Sequence, residues 1–588
     1  MKLSGRSLGR AGFDRLVQFL LVGLFGLCSS SSLAQTVLIS PKDSAIIQLR
    51  NGKGELHLIL RTDAKTTIFE FRILDRLDKA IPGYDWSDIN FKQQSIDTIL
   101  WLPLVQDLTL QWRTNGRLEG GLLTHIEIGH LFAIAGQSNA QGWSPQPYVG
   151  LSCDARMLWN DYAWHPAEDP TGGKWGSPWI AFVNQFSRLV HDSLPIGIIN
   201  TAAGGSGLTL RTSEGQWLRN GEIHDDTNTI YGAALTRIRG AGADVEALFW
   251  IQGESDVLGT TVDLYQSAYA TLHKEFEEDL GFPVRMFHLQ IGGQTNNPGK
   301  VAWGIVREAL RTLPNSTLVG TSVGLPLADD IHYSAATARD VGERFAGAVA
   351  SGLYGVNSSL YPPPLPAPMA KLVECVADDP KTGWKIELEC LKGGKPCKLS
   401  SSGAVYGFQL THDASRFDTS QVFAIIDPHD ASKIDIFLRF HSISPDPTWR
   451  LSYAIYGDVT NISLNDGVAG PSGLPNMLVS FLDLPVFDSA FAAAVADHSR
   501  LFEASLLPLA PNPSRTTIVL SLKLGKSSQV NLEVLDLLGQ EMRTVHEGQL
   551  ASGDHELVLD CSRFAAGTYI VLVQTDFGTL VRKIMVQR

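Results

Sequence analysis

Cysteine is scarce, six in 588 residues, and its spacings match no zinc site, so neither a metal nor any other cofactor is expected. An excess of basic charge is also missing. The formal net charge is −13, which argues against a nucleic acid or an anionic membrane surface as partner. No apolar run is long enough to span a bilayer as a permanent helix, the clearest being Leu16–Leu27. No repeat of fixed period is present. What remains is ordinary globular composition, 44% hydrophobic and 19% charged, in a chain too long for one core. About three to five domains are expected on length.

Residues 1–34 read as a targeting segment rather than fold. Lys2, Arg6, Arg10 and Arg15 precede the Leu16–Leu27 run, and the small-residue stretch ending Ser32-Leu33-Ala34 is a signal-peptidase site by type. Leu27 is too bulky for a lipoprotein signal at Cys28, so a cleaved secretory signal is expected. Its removal leaves Cys153, Cys375, Cys390, Cys397 and Cys561, an odd number, so at least one thiol stays free or pairs with another molecule. Cys390 and Cys397 flank a Lys-Gly-Gly-Lys-Pro turn, and a local bridge is expected there.

The rest of the chain changes texture several times. Residues 35–128 alternate apolar and polar residues in short bursts (Val37–Ile39, Leu56–Leu60, Thr67–Ile73, Thr98–Leu102, Leu108–Trp112), which predicts a β-sandwich. From 129 to 352, strand patterns at Leu131–Ala135, Pro195–Asn200, Ala247–Ile251, Val284–Gln290 and Ser316–Gly320 alternate with helical ones. The helices expected are Trp179–Asp192, Thr229–Ala241, Asp263–Asp279, Lys300–Thr312 and Ser334–Ser351. Such alternation predicts a mostly parallel sheet covered on both faces. A proline-rich linker at 353–370 follows, then a β-rich domain at 371–500 and a last β-sandwich at 506–588.

Ligands of parallel sheets sit at the carboxyl ends of the strands. Four polar clusters fall at such ends. Gly136-Gln137-Ser138-Asn139 follows the first strand, where Gly136 permits a tight turn and the next helix start offers N–H groups that would stabilise an oxyanion beside Ser138. A serine there also reads as a helix cap, and these residues alone leave both readings open. The glycine-rich Gly204-Gly205 loop follows the second strand, and Gln252-Gly253-Glu254-Ser255-Asp256 the third. In Asp329-Asp330-Ile331-His332, the spacing lets the Asp329 carboxylate hold one nitrogen of His332 and leave the other free as a general base. Gly320-Thr321-Ser322-Val323-Gly324 fits a nucleophile elbow by pattern, but Pro326 prevents the helix that an elbow needs. His165, His191, His224, His273 and His288 read as structural.

Together these motifs resemble the sialate O-acetylesterase-like branch of the SGNH hydrolases, which includes acetyl-sugar and acetylxylan esterases. The resemblance covers about residues 129–350 and implies a three-layer α/β, flavodoxin-like catalytic domain, here flanked by β-sandwich domains. It implies Ser138 as nucleophile, His332 as base and Asp329 as its orienter. The oxyanion hole would comprise the N–H groups of Ser138 and of Gly204 or Gly205, with the Gln252 side chain. Many relatives carry Asn in that block, so Gln252 and Ser255 both stand as the side-chain donor. Gln137, Asn139 and Glu254 would contact substrate. Residues 451–475 are similar, more weakly, to the β region that accompanies such catalytic domains.

The last 80 or so residues resemble a type IX secretion sorting domain through Pro511-Asn512-Pro513-Ser514, Val534–Gly539, Gly567-Thr568-Tyr569 and Arg582-Lys583. That likeness implies export through periplasm and outer membrane, with the secretion machinery as partner. The function expected is a secreted serine esterase that removes O-acetyl groups from glycans, with no nucleic-acid partner and no transmembrane anchor in the mature chain. A surface glycan-binding protein on an inactive esterase fold is the alternative from another class. A lipase or peptidase is the rival within enzymes, although no long hydrophobic lid segment is evident.

Overall fold

The computed structural model describes residues 37–62, 66–89, 95–158, 163–171, 175–221, 223–242, 244–296, 301–356, 369–374, 384–389, 391–392, 395–396, 399–401, 405–412, 415–417, 422–428, 430–438, 450–469, 472–487, 504–506, 514–524, 526–535, 541–576 and 578–587. The signal segment 1–34, most of the 353–370 linker, the Cys390–Cys397 bridge, Cys375, the Pro511–Pro513 motif and residues 536–539 lie outside them. Among the described residues, Cys153 and Cys561 are free thiols. The chain divides into two compact units. The first takes the described residues of 37–367 with 390–407 and 453–482, and the second takes 368–389, 408–452 and 483–588.

In the first unit a single long strand, β1 (Arg117–Gly136), joins two kinds of structure. Its first half forms a hairpin with Leu108–Thr114, and its second half lies in a parallel sheet. The hairpin turn places Asn115 and Gly116 at positive φ (50° and 74°), as the right-handed twist of the flanking strands favours. The boundary expected at 128/129 therefore falls inside one strand. Ile126, Ile128 and Leu131 all belong to one buried cluster, so the strand carries a shared core across that boundary. Upstream of it, Lys53–Arg61 pairs with Ser95–Pro103 and Phe69–Leu74 with Leu108–Thr114, around a core that includes Leu56, Leu58, Phe69, Ile96 and Leu110.

The parallel sheet adds β2 (Ala155–Leu158), β3 (Ile196–Asn200), β4 (Ala247–Ile251), β5 (Met286–Gln290) and β6 (Ser316–Thr321) in the order β2-β3-β1-β4-β5-β6. Successive strand residues point to opposite faces and build two cores. Phe132, Ile134, Ile198 and Phe249 pack against α2 (Trp179–Val190) and α6 (Ala335–Tyr354). Leu131, Ala133, Leu248 and Trp250 pack against α3 (Ile230–Gly240), α4 (Val262–Leu280) and α5 (Ala302–Arg311). Three of these helices begin where the sequence supplies caps: Thr229, Thr261 and Ser334 each accept the N–H three residues on.

From β1 the chain first builds outward on the β3 side and then crosses to β4. The switch point, where loops diverge and leave a crevice, thus lies at the carboxyl ends of β1, β3 and β4.

Residues 453–482 are clipped to the far side of this sheet. Gln290 exchanges hydrogen bonds with the Ser480 backbone, at 2.9 Å to the carbonyl and 2.8 Å from the N–H. The fully buried Arg307 donates to the carbonyls of Ala454 and Tyr456 (2.6 and 2.7 Å), and Arg344 donates to Asn476 and the Pro475 carbonyl (2.8 and 2.9 Å). The segment expected to belong to a separate 371–500 domain is thus, in part, integral to the α/β unit.

In the second unit, Met369–Glu374, Trp384–Glu389, Lys433–Leu438 and Val422–Ile426 form an antiparallel ladder, apart from the last 80 or so residues. Those residues form a three-stranded and a four-stranded sheet around Ile518, Leu520, Val530, Leu532, Leu559, Val571 and Val573. No helix among the described residues is long and apolar enough to cross a membrane.

Candidate active site

Strand β1 ends at Gly136, where φ is +128° and a Cβ would stand 2.0 Å from the Ile251 carbonyl oxygen of the neighbouring strand. Only glycine fits there. The chain then turns into α1 (Ser138–Gln141), a single helical turn whose N-cap is Gln137. Ser138 is the first helical residue and not the cap, so the capping reading does not describe it. Its N–H donates to no group among the described residues. The residue is 9% exposed, on the wall of a cleft of about 930 Å³ at the switch point.

His332 lines the same cleft. It lies in the loop before α6, where Asp329 and the imidazole meet as their spacing predicts: Asp329 Oδ2 is 2.8 Å from His332 Nδ1. The other carboxylate oxygen accepts the N–H groups of Ile331 and His332, at 2.9 and 2.7 Å. Burial alone would raise the Asp329 carboxyl, but these N–H donors and the imidazole outweigh it and hold the group below its ordinary value. An ionised acceptor at Nδ1 puts the proton on that nitrogen and leaves Nε2 free to take one. The ring stacks on Trp143, centroids 5.3 Å apart and planes 19° from parallel.

Asn139 ties these two elements together. From the position next to Ser138, its Nδ2 donates to the Ile331 carbonyl (3.3 Å), and its Oδ1 accepts the Tyr333 N–H (3.1 Å). Both chain neighbours of His332 are thereby held to the residue that follows Ser138. Nδ2 also donates to Glu254 Oε1 at 2.9 Å. Asn139 was expected to touch substrate. The structure gives it a different place, buried beneath the cleft as a strut between the serine turn and the histidine loop.

Two expected oxyanion donors are also placed differently. Gln252 is wholly buried, and its Nε2 lies within reach of Gln137 Oε1 (3.3 Å), the Ser206 carbonyl (3.2 Å) and Asp256 Oδ2 (2.5 Å). Its two protons are fully used below the cleft floor, so it offers none to a ligand. The Gly204 N–H donates to Gln141 Oε1 at 3.0 Å and is likewise occupied. Gly205, at φ +73°, keeps an N–H without a partner among the described residues and lines the cleft. Ser255 lines the cleft too, while its N–H donates to Gln137 Oε1 at 3.2 Å. That oxygen also accepts the Gly253 N–H (3.3 Å), so Gln137, which lines the cleft, is pinned through its side-chain carbonyl.

Glu254 lines the cleft, with Oε2 buried and without a hydrogen-bond partner among the described residues. Burial pushes its carboxyl up, against the pull of Asn139 and His332.

Sequence reasoning missed Asp256, Gln141, Trp143 and Glu214. Asp256 is fully buried and accepts the N–H groups of Leu208, Thr209 and Leu210 at 2.8, 2.7 and 2.8 Å and the Thr209 hydroxyl at 2.6 Å. It is the anchor of the 206–217 loop that walls the cleft. A carboxylate two residues after a glutamate at a strand end was visible as part of a polar cluster, but its partners lie more than forty residues upstream. The Gly320–Gly324 pattern is no elbow: Ser322 is buried and its hydroxyl bonds the Gln290 carbonyl and Tyr333. His288 is buried between Ser316 Oγ and the Leu310 carbonyl and is pushed down to about 4 by burial, as befits a structural histidine. Among the described residues no group of three or more His, Cys, Asp or Glu side chains is placed to hold a metal.

Comparison with known proteins gives matches to two families. Residues 128–351 match the family described as carbohydrate esterase, sialic acid-specific acetylesterase, and residues 509–587 match the secretion system C-terminal sorting domain. A probable carbohydrate esterase of Arabidopsis thaliana is 26% identical over 252 residues, covering 38% of this chain and 90% of the plant protein. A carbohydrate acetylesterase from Xanthomonas citri has a similar fold, with a TM-score of 0.56 at 17% identity, over 76% of this chain and 99% of the other. The sorting domain marks the chain for export to the cell surface or medium and implies the secretion machinery as a partner. The chain therefore carries a domain of the carbohydrate esterase family of sialic acid-specific acetylesterases, followed by a secretion sorting domain at its C-terminal end.

Proposed function

We propose that the protein is an exported serine esterase of the SGNH type, with a three-layer α/β catalytic domain, that removes O-acetyl groups from carbohydrates. Ser138 Oγ attacks the ester carbonyl while His332 Nε2 takes its proton. Asp329 fixes the imidazole and stabilises the imidazolium that forms. The tetrahedral oxyanion is received by the N–H groups of Ser138 and Gly205. His332 then returns the proton to the departing sugar oxygen, which leaves an acetyl group on Ser138. Water activated by the same nitrogen releases acetate and restores the hydroxyl.

The observation that carries this reading is the Asn139 strut. It holds the loop bearing an Asp-oriented histidine to the turn bearing a serine that lines the same cleft.

The test is acetate release from acetylated xylan and from O-acetyl sialic acid, with 4-nitrophenyl acetate alongside. Ser138→Ala is expected to lose nearly all activity on every substrate the native protein cleaves, and His332→Ala to lose at least about 10²-fold. Hydrolysis of 4-nitrophenyl acetate by Ser138→Ala at the native rate would overturn the assignment. Glycan binding by the native protein with no acetate released would favour a binding role instead.

A further inference from the structure

Glu214 takes no part in the steps above, yet it stands beside them. It lines the cleft, is exposed, and forms no ion pair with any described residue. Its stem lies across the loop that offers the Gly205 N–H: a Cβ built on Gly205 would come within 2.9 Å of Glu214 Cγ. The adjacent Gly204 lies in ordinary contact range of the serine, since a Cβ there would be 3.7 Å from Ser138 Cβ. The Glu214 side chain, whose Oε1 accepts the Ser213 hydroxyl at 3.4 Å, therefore flanks the Gly205 side of any ester held between Ser138 and Gly205.

The position of Glu214 is built rather than incidental. The 206–217 loop is anchored at one end by the four hydrogen bonds to Asp256. It is closed on itself by Gln216 Nε2 to the Leu208 carbonyl (2.9 Å) and by the Thr212 hydroxyl to the Gly215 carbonyl (2.9 Å). Its other end is fixed by the Trp217 indole N–H to Ser206 Oγ (2.8 Å). A carboxylate can only accept hydrogen bonds, and paired sugar hydroxyls are donors that match its two oxygens. The same charge opposes an incoming anion, and the second carboxyl on the wall, Glu254, adds no cation to relieve it.

We propose that Glu214 determines specificity at this site, accepting hydroxyls of an uncharged acetylated sugar and rejecting acetylated sugars that carry a carboxylate. The proposal rests on the esterase reading and sharpens it to a substrate class. Two like unit charges facing across a cleft open to water, where the effective dielectric lies between that of a protein surface and bulk water, discriminate by roughly tenfold.

The experiment compares kcat/KM on a neutral ester, monoacetylated methyl β-xyloside, with that on an anionic one, 9-O-acetyl-N-acetylneuraminic acid. Native protein, Glu214→Gln and Glu214→Ala are each normalised to their own rate on 4-nitrophenyl acetate. The native protein is expected to favour the neutral ester at low salt. In Glu214→Gln the anionic-to-neutral ratio should rise about tenfold, and in native protein it should rise partway in about 0.5 M salt. Glu214→Ala should raise KM for the neutral ester more than it lowers kcat. A native preference for the anionic ester at low salt, or a ratio in Glu214→Gln within twofold of native, would overturn the proposal and leave the esterase reading standing. Retained 4-nitrophenyl acetate hydrolysis in Ser138→Ala would overturn the reading itself, whatever the ratio shows.

Discussion

Residues that flank a nucleophile often decide its geometry, and Asn139 stands in that position beside the proposed nucleophile Ser138. Its amide bridges the Ile331 carbonyl and the Tyr333 N–H on one side and Glu254 on the other. Removing it leaves a carbonyl, an N–H and a buried carboxyl partly unsatisfied, at a cost of about 2–3 kcal/mol. It also frees the histidine loop to drift from the serine. Asn139→Ala is therefore expected to lower kcat by about 10²-fold with a much smaller change in KM, and to lower Tm, read by steady-state kinetics and thermal unfolding. A purely structural Asn would move Tm alone.

Glu254 supports a second prediction at this scale. Burial raises its carboxyl, so the folded protein keeps a proton that the unfolded chain has already lost. Stability from this group thus falls as pH rises from the ordinary carboxyl value through the raised one. Glu254→Gln retains an acceptor for Asn139 and has no proton to lose. The Tm of Glu254→Gln minus that of native protein should therefore grow as pH rises from about 4 toward neutrality, and a flat difference would contradict the shift.

At the scale of elements, the strands and helices of the α/β region were legible because each carries a continuous local signal. Phe249-Trp250 in β4 and Ile198-Ile199 in β3 are apolar on both faces, as strands between two helical layers must be. The helices expected from Thr229, Asp263 and Ser334 begin within one residue of those positions, at Ile230, Val262 and Ala335. The Asp329–His332 couple was readable too, since three residues of one loop suffice to form it. The parts that misled were those whose meaning depends on partners distant in sequence. Gln252 resembles a donor by type and position. Tyr265, Gln137, Ser206 and Asp256 surround it, however, and convert it into a tie between strand end and loop. The extent of β1 was missed for a related reason. Its first half alternates and its second half does not, and each half reads as a separate element until pairing joins them. Strand Ile46–Arg50 was missed as well, being short and defined by its parallel pairing with β1 rather than by pattern.

At the scale of the whole molecule, the question is which segments the α/β unit needs in order to stand. Three buried groups of that unit, Gln290, Arg307 and Arg344, find partners on residues 454–480. Arg307 is the most exposed to loss. It is 0% accessible, burial pushes it down to about 9, and its donors go to the carbonyls of Ile291, Gly292, Ala454 and Tyr456. A chain cut after residue 356 would leave this guanidinium short of two acceptors beside newly exposed apolar surface, and a buried cation so deprived costs several kcal/mol. The C-terminal sandwich stands differently, because its core from Ile518 to Val586 is composed of its own strands. Two truncations should therefore part company. Ending the chain at 503 should leave a folded protein that still hydrolyses 4-nitrophenyl acetate but is no longer exported past the outer membrane. Ending it at 356 should yield insoluble or molten material, seen as lost near-ultraviolet circular dichroism and a lost cooperative unfolding transition. Were the 356 truncation to fold and cleave ester as the longer one does, the 453–482 segment would be an appendage, and the clip formed by Gln290, Arg307 and Arg344 would carry no weight in the fold.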